Sequence, residues 1–328
     1  MGGFQEPERS YEEVIDQRWK IPLEHLSIDE RSNLGSGALG EVKRATWNNN
    51  GLRVAAKRLF FMATDPKAVQ AMGGALDTTT RETVLRDFIK ECSINASLRH
   101  PNIVMFLGVG VDRAANDEPR FLVLELMDRS LHDEIYPGGI TPRQGAPMAL
   151  ERMVSILLDV SRALAYLHSR QPPVLHLDLK PKNVLIDGSG RAKIGDLGAA
   201  HVIRSTQRAT QAATTGVFGI GTPLYMAPEM AIRGSPKGAA ADMFSLGVMA
   251  CEMSSGRPPN PGPVLVRVSV REVRSIPETE RRAADLALLN HTEMQDLVNH
   301  LVVDEAEQRW DVMRVQSFLQ SLEDQFGH

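Results

Sequence analysis

This chain predicts an α+β fold of two lobes, a small β-rich N-lobe with one main helix and a larger α-helical C-lobe. Three observations carry that prediction. From Leu26 to Leu126 the apolar pattern is mostly that of strands, and after Met127 it becomes that of long helices. Within the first part, one segment stands out for helical spacing, "TTTRETVLRDFIKECSINASLRH". At 328 residues the chain is long enough to give each lobe its own core.

The elements follow in order. Residues 1 to about 25 are charged and poorly patterned and read as an N-terminal extension; the domain then covers 26–326. Its N-lobe runs to about 124, a hinge occupies about 125–130, and the C-lobe covers 131–326. "EVKRATW" and "LRVAAKRLF" flank the turn "NNNG" and predict a hairpin. "FFMATDPKAVQAMGGALDTTT" reads as a loop insertion. In the helix that follows, Thr79 or Thr80 can cap the start, and Leu85, Phe88, Ile89, Cys92 and Ala96 form the apolar stripe. "FLVLELM" predicts a buried strand, and "LERMVSILLDVSRALAYLHS" and "DMFSLGVMACEMSSG" predict long helices. Between these helices "VLHLDLKPKNVLID", 174–187, reads as a turn-rich loop between two short strands, because Pro181 fits neither a helix interior nor a central strand.

Composition narrows the function classes. A hydrophobic share of 42%, a charged share of 24% and a net charge of −4 describe an ordinary globular chain. They give no electrostatic reason to expect nucleic acid or an anionic membrane as partner. The two cysteines, Cys92 and Cys251, form no C-x-x-C pair, which argues for a reduced compartment and against a zinc site. No apolar run reaches the length of a membrane span, and "MGGFQEPERS" has no signal-peptide core. Gly2 follows the initiator Met, but Glu6 stands where N-myristoylation wants Ser or Thr. The expected address is the cytosol, with the nucleus as a second one.

The chemistry is concentrated in short motifs. "LGSGALGEV" supplies Gly35, Gly37 and Gly40 as G-x-G-x-x-G, where glycine lets backbone N–H groups approach phosphate oxygens. A dinucleotide fold needs a helix after those glycines, whereas Val42 to Trp47 reads as strand. In "VAAK", Lys57 offers an ammonium that can bind phosphates as a point charge. On the predicted helix, Phe88, Glu91 and Asn95 share one face, so Glu91 is the candidate carboxylate to hold Lys57. The alternative for each is bland: a glycine-rich hairpin, a solvated edge lysine, a surface glutamate. In 174–187 an acid, an amine and an amide (Asp178, Lys180, Asn183) are gathered within six residues.

Taken together, the glycine-rich loop, "VAAK", the helix Glu, "HLDLKPKN", "DLG", "GTPLYMAPE" and "DMFSLG" resemble the eukaryotic protein kinases, over roughly residues 26 to 325. "DLK" and "GTPLYMAPE" look like the serine/threonine type, and the texture looks closest to the tyrosine-kinase-like group of that type. The resemblance implies ATP and Mg²⁺ as cofactors and protein serines or threonines as substrates. It implies that Asp178 takes the substrate hydroxyl proton, that Lys180 meets the γ-phosphate, and that Asn183 and Asp196 hold the metal. It assigns Lys57 and Glu91 to phosphate positioning. It places Leu34, Gly35, Ser36, Gly37 and Gly40 over the phosphates, Val42, Ala55 and Leu185 around adenine, Leu124 behind it, and the backbones of Glu125 and Met127 on the purine edge. Thr222 would lie near Asp178, Glu229 would pair with Arg309, and Asp242 would anchor the catalytic loop.

Three features depart from the family pattern. Leu177 replaces the usual Arg, which pairs with a phosphate on the activation loop. Asn95 takes an apolar position in a column with Phe106, Leu197 and His176, and the 60–80 insertion has no assigned role. Ser205, Thr206, Thr210, Thr214 and Thr215 could accept an activating phosphate, and His201 is a weak substitute reader for it. A nucleotide-binding scaffold without activity is the rival reading. It would be favoured by loss of Lys57, Asp178 or Asp196, and none is lost. A tyrosine kinase would need A-A-R or R-A-A in place of "LKP".

Overall fold

The computed structural model describes residues 16–37, 40–59, 78–138, 145–202, 223–231, 238–259, 289 and 291–327. The chain divides into two units, Met1–Arg99 with Val104–Met127, and His100–Ile103 with Asp128–His328.

The first unit is built on a seven-stranded sheet of β1 (Lys20–Pro22), β2 (Leu26–Asp29), β3 (Gly35–Gly37), β4 (Gly40–Trp47), β5 (Leu52–Leu59), β6 (Phe106–Asp112) and β7 (Glu118–Glu125). The order is β1-β6-β7-β5-β4-β2, with β3 paired to β4. The predicted hairpin closes at Trp47–Gly51, where Gly51 takes φ +68° and donates its N–H to the Trp47 carbonyl at 2.9 Å. Helix α1 (Thr78–Ser97) packs Phe88 and Cys92 against Phe106, Val109 and Leu122, while Ile21, Leu26, Val54, Ala56 and Val123 form a second cluster.

Two boundaries differ from the sequence reading. The first strand begins at Lys20, six residues before the expected start, and pairs in parallel with β6, Lys20 opposite Val109. A three-residue strand offers no alternation to read. Thr79 and Thr80 lie within α1 rather than capping it, because the helical backbone already includes Thr78.

The second unit is mostly helical. Its elements are β8 (Arg129–Ser130), α2 (Leu131–Ile135), α3 (Leu150–His168), β9 (Val174–Leu175), β10 (Val184–Ile186), β11 (Ala192–Ile194), β12 (His201–Val202), α4 (Ala239–Ser255), α5 (Thr292–Leu301) and α6 (Val312–Glu323). α3 buries Met153, Ile156, Leu157, Val160 and Leu164 completely. α4 is buried on nearly every side, as a helix apolar all round should be. Gly247 permits this, since a Cβ there would meet the Leu301 Cβ at 2.7 Å and Val302 at 2.8 Å. Short pairings β11-β10-β8 and β12-β9 frame the predicted 174–187 loop. Among the described residues, no helix is long and apolar enough to cross a membrane.

Candidate active site

In the first unit, strand register aligns the phosphate and base residues. Val42 pairs with Lys57, and Ala55 pairs with Leu124. Residues two apart share a face, so Val42, Ala55, Lys57 and Leu124 all lie on one side of the sheet. The Lys57 Nζ donates to Glu91 Oε1 at 2.7 Å, with the side chains 18% and 7% exposed. Glu91 is fixed by its neighbours Phe88 and Cys92, both buried in the adjoining core. Burial, and then the negative charge of Glu91, push the Cys92 thiol well above its ordinary pKa. It is packing and not a nucleophile.

Gly35, Gly37 and Gly40 lie in the β3–β4 hairpin, Gly37 directly opposite Gly40, with strand after the last glycine as the motif reading expects. A Cβ at Gly35 would meet nothing within 4 Å, so the space above that backbone is open. Leu34 is exposed and donates its N–H to the Val42 carbonyl at 2.9 Å. Ser36 lies mid-strand in β3. At the end of β7, the Glu125 N–H donates to the Met105 carbonyl at 3.0 Å, and Glu125 Oε1 accepts the Met105 N–H at 2.6 Å. Met127 is buried.

In the second unit the loop draws its polar groups onto one carboxylate. Asp178 Oδ2 accepts from Lys180 Nζ at 2.7 Å and from Asn183 Nδ2 at 2.9 Å, while Nδ2 also donates to the Asp178 carbonyl at 2.7 Å. Pro181 opens a 3₁₀ turn over Pro181–Asn183, where its missing N–H costs nothing. Leu185 follows on β10, half-buried and paired with Ser130 and Lys193.

Asp196 lies two residues beyond β11 with φ +55°, exposed, and capping a 3₁₀ turn whose first residue, Leu197, is buried. Its segment is locked to the loop twice. Gly195 N–H donates to the Asn183 carbonyl at 2.8 Å, and His176 Nε2 donates to the Gly195 carbonyl at 3.0 Å. The other His176 nitrogen accepts from the Asp178 N–H at 3.3 Å, which fixes the ring as the Nε2–H tautomer.

Beneath the loop lies Asp242 of α4, completely buried. Its carboxylate accepts the His176 N–H at 3.0 Å, the Leu177 N–H at 2.8 Å and His168 Nε2 at 2.8 Å. Burial raises its pKa, but the His168 hydrogen bond, the nearby imidazoles and the backbone donor outweigh that and hold it below the ordinary value. Leu177 has φ +61° and a buried side chain, so the residue standing in place of the usual Arg is a core leucine on a strained backbone. Glu229 and Arg309 form the expected pair, bidentate at 2.6 and 2.8 Å, with Arg309 fully buried. Thr222 and the five candidate phosphate acceptors between 205 and 215 lie outside the described residues, as does the side chain of His201.

A match to the protein kinase domain family model extends over residues 28–320. The chain belongs to the protein kinase family. Similar proteins include the serine/threonine-protein kinase CTR1 of Arabidopsis thaliana, 32% identical over 76% of this chain and 27% of that protein. Serine/threonine-protein kinase VIK of the same plant is 31% identical over 74% of this chain and 49% of its own length. The probable serine/threonine-protein kinase drkC of Dictyostelium discoideum is 29% identical over 84% and 33%. The chain spans about a quarter to a half of the length of these relatives.

The structure thus places the predicted residues of this kinase domain in two sets, Lys57 with Glu91 in one unit and Asp178, Lys180, Asn183 and Asp196 in the other. Sequence reasoning missed the carboxylate Glu252, 2% exposed on α4, which accepts from Tyr136 at 2.8 Å and Tyr225 at 2.6 Å. A glutamate near a helix end gives no signal of burial. It missed His168 for a different reason: "YLHS" was counted toward helix α3 and not toward the Asp242 cluster.

Proposed function

We propose that this kinase domain transfers the γ-phosphoryl group of ATP to serine and threonine hydroxyls of proteins. The observation that carries the reading is the double lock through Gly195, which makes Asp178, Asn183 and Asp196 parts of one hydrogen-bonded frame. Phosphoryl transfer asks little covalent chemistry of the protein and much positioning, and a frame of this kind supplies it.

Asp178 accepts the proton as the hydroxyl oxygen forms its bond to the γ-phosphorus and the bond to the β-phosphate oxygen breaks, releasing ADP. Lys180, already at Asp178, offers its ammonium to the transferring phosphoryl group. Lys57, held by Glu91, takes the α- and β-phosphates, with the glycine hairpin's backbone as a further cradle. Val42, Ala55 and Leu124 supply apolar surface for adenine, and the Glu125 and Met127 backbones its polar edge; Leu185 keeps the adenine role that the family resemblance assigns to it. The Asn183 amide directs its Nδ2 to Asp178, which leaves oxygen as its ligand atom, and Asp196 adds a carboxylate. That oxygen set fits magnesium, which binds through few protein ligands plus substrate phosphates. When bound there, the metal would neutralise phosphate charge.

The test is transfer from labelled ATP to a random peptide pool with phospho-amino-acid analysis. Label on serine and threonine is expected, and Asp178→Ala should lower the rate by about 10²–10⁴ while ATP still binds. An unchanged rate in that variant removes this loop as the catalytic site, and ATP binding without transfer by the unaltered chain favours a scaffold.

A further inference from the structure

We propose that Trp19, in the turn leading into β1, is a positioning residue for the Lys57–Glu91 pair, acting by clamping α1 against β6. The inference rests on the reading of that pair as the phosphate-positioning device.

The Trp19 ring lies 5.1 Å from Phe106 at 60°, and the Arg99 guanidinium stands over its face at 5.1 Å. Phe106 belongs to the same buried cluster as Phe88 and Cys92, and Trp19 packs on that cluster together with Leu85 and Ala96. These contacts fall on the helix on either side of Glu91. Phe88 is one helical turn before it, Cys92 is its neighbour, and Arg99 lies just past the end of α1. Trp19 therefore touches the wall on which the helix packs and also the chain leaving the helix.

A second observation shows that the segment is built in rather than draped on. A Cβ at Gly108 of β6 would meet the Trp19 carbonyl oxygen at 2.6 Å and Ile21 Cδ1 at 2.7 Å. The side chain could shift, but the backbone oxygen could not without displacing the segment. Glycine at 108 is what lets residues 19–21 seat at this depth. A hydrogen bond of 2.7 Å between Lys57 and Glu91 is lost with a displacement of about 1 Å, and a misplacement of that size can cost about 10²-fold in rate. A small tilt of α1 is enough.

The experiment compares the full chain with Trp19→Ala, Trp19→Phe and Gly108→Ala, using a peptide substrate and, separately, an amine-reactive ester whose labelling of Lys57 is read by mass spectrometry. Trp19→Ala should lower kcat per folded molecule at least tenfold with peptide KM within twofold, and Lys57 should label several-fold faster. Trp19→Phe keeps an aromatic ring for Phe106 and Arg99 and should remain within about threefold of the unaltered chain, whereas a residue needed only for folding would show no such rescue in kcat. Gly108→Ala should reproduce the Trp19→Ala pattern without touching Trp19, and it decides the matter if Trp19→Ala does not fold. Unchanged kcat and unchanged Lys57 labelling in Trp19→Ala and Gly108→Ala would overturn the inference. If the unaltered chain transfers no phosphate, the functional reading fails instead, and the labelling rates still decide the clamp.

Discussion

Replacing Asp242 by asparagine tests how the catalytic loop is held. Three donors end on this carboxylate at 2.8–3.0 Å, two of them backbone N–H groups of His176 and Leu177. Asparagine keeps one acceptor oxygen and turns the other position into a donor. His168 can answer by changing tautomer, but at least one backbone N–H is left facing an N–H. A buried donor without a partner costs about 1–3 kcal/mol. Leu177 has a φ of +61°, an unfavourable conformation that the bond to Asp242 Oδ1 holds in place, so losing that bond also lets this backbone relax away from the geometry the loop needs. A loss of about 1–3 kcal/mol is expected, which at about 2–4 °C per kcal/mol lowers the melting temperature by about 2–12 °C. Because the residues released are the two preceding Asp178, kcat should fall about 10²-fold with ATP affinity little changed. Thermal unfolding and steady-state phosphorylation of a peptide measure both. A shift below about 2 °C together with normal kcat would refute the anchoring role.

Lys57→Met should abolish turnover with the fold retained, since the ammonium pairs with Glu91 rather than packing a core; full activity in a peptide assay would show the pair to be dispensable. Glu252 gives a pH dependence whose sign is set by its environment. Burial raises its carboxyl above the ordinary 4.5, only partly offset by the Tyr225 and Tyr136 hydroxyls, so its contribution to stability falls as pH rises from about that value through the raised folded one. Glu252→Gln does not titrate, and its melting temperature minus that of the unaltered chain should increase with pH across this window; a decrease would reverse the assignment. With Leu177 in place of a phosphate-reading arginine, phosphatase treatment, checked by mass spectrometry, should leave the initial rate on an exogenous peptide within tenfold. A larger fall, above about 1.4 kcal/mol in barrier, refutes that independence.

What was legible in the sequence was what is local. Asp178, Lys180 and Asn183 meet because a proline turn folds six residues onto one carboxylate, so their spacing is almost their geometry. The strand-like runs flanking "NNNG" likewise announced the hairpin and the strand following the glycines. Lys57 and Glu91 are 34 residues apart, and before the structure they were joined only by the helix face on which Glu91 lies and by the resemblance. The Glu252 cluster was hidden, its partners lying 116 and 27 residues away on a side chain that reads as surface charge. Leu177 was noticed for the arginine it lacks. Its left-handed backbone and its burial depend on Asp242, 65 residues on, and no local pattern carries that.

The first strand has a consequence for association. β1 occupies one edge of the seven-stranded sheet, beside β6, whose Val109 and Val111 are almost completely buried. It is only three residues long and contains Lys20 and Pro22, and shortness, a lysine and a proline are three ways in which natural sheets discourage another strand from adding on. A chain begun at Leu26, where apolar patterning starts, would carry β6 as a bare hydrophobic edge. Such a fragment should self-associate by strand addition, and the nine residues from Gln17 to His25 are then the guard that keeps one copy from templating on the next.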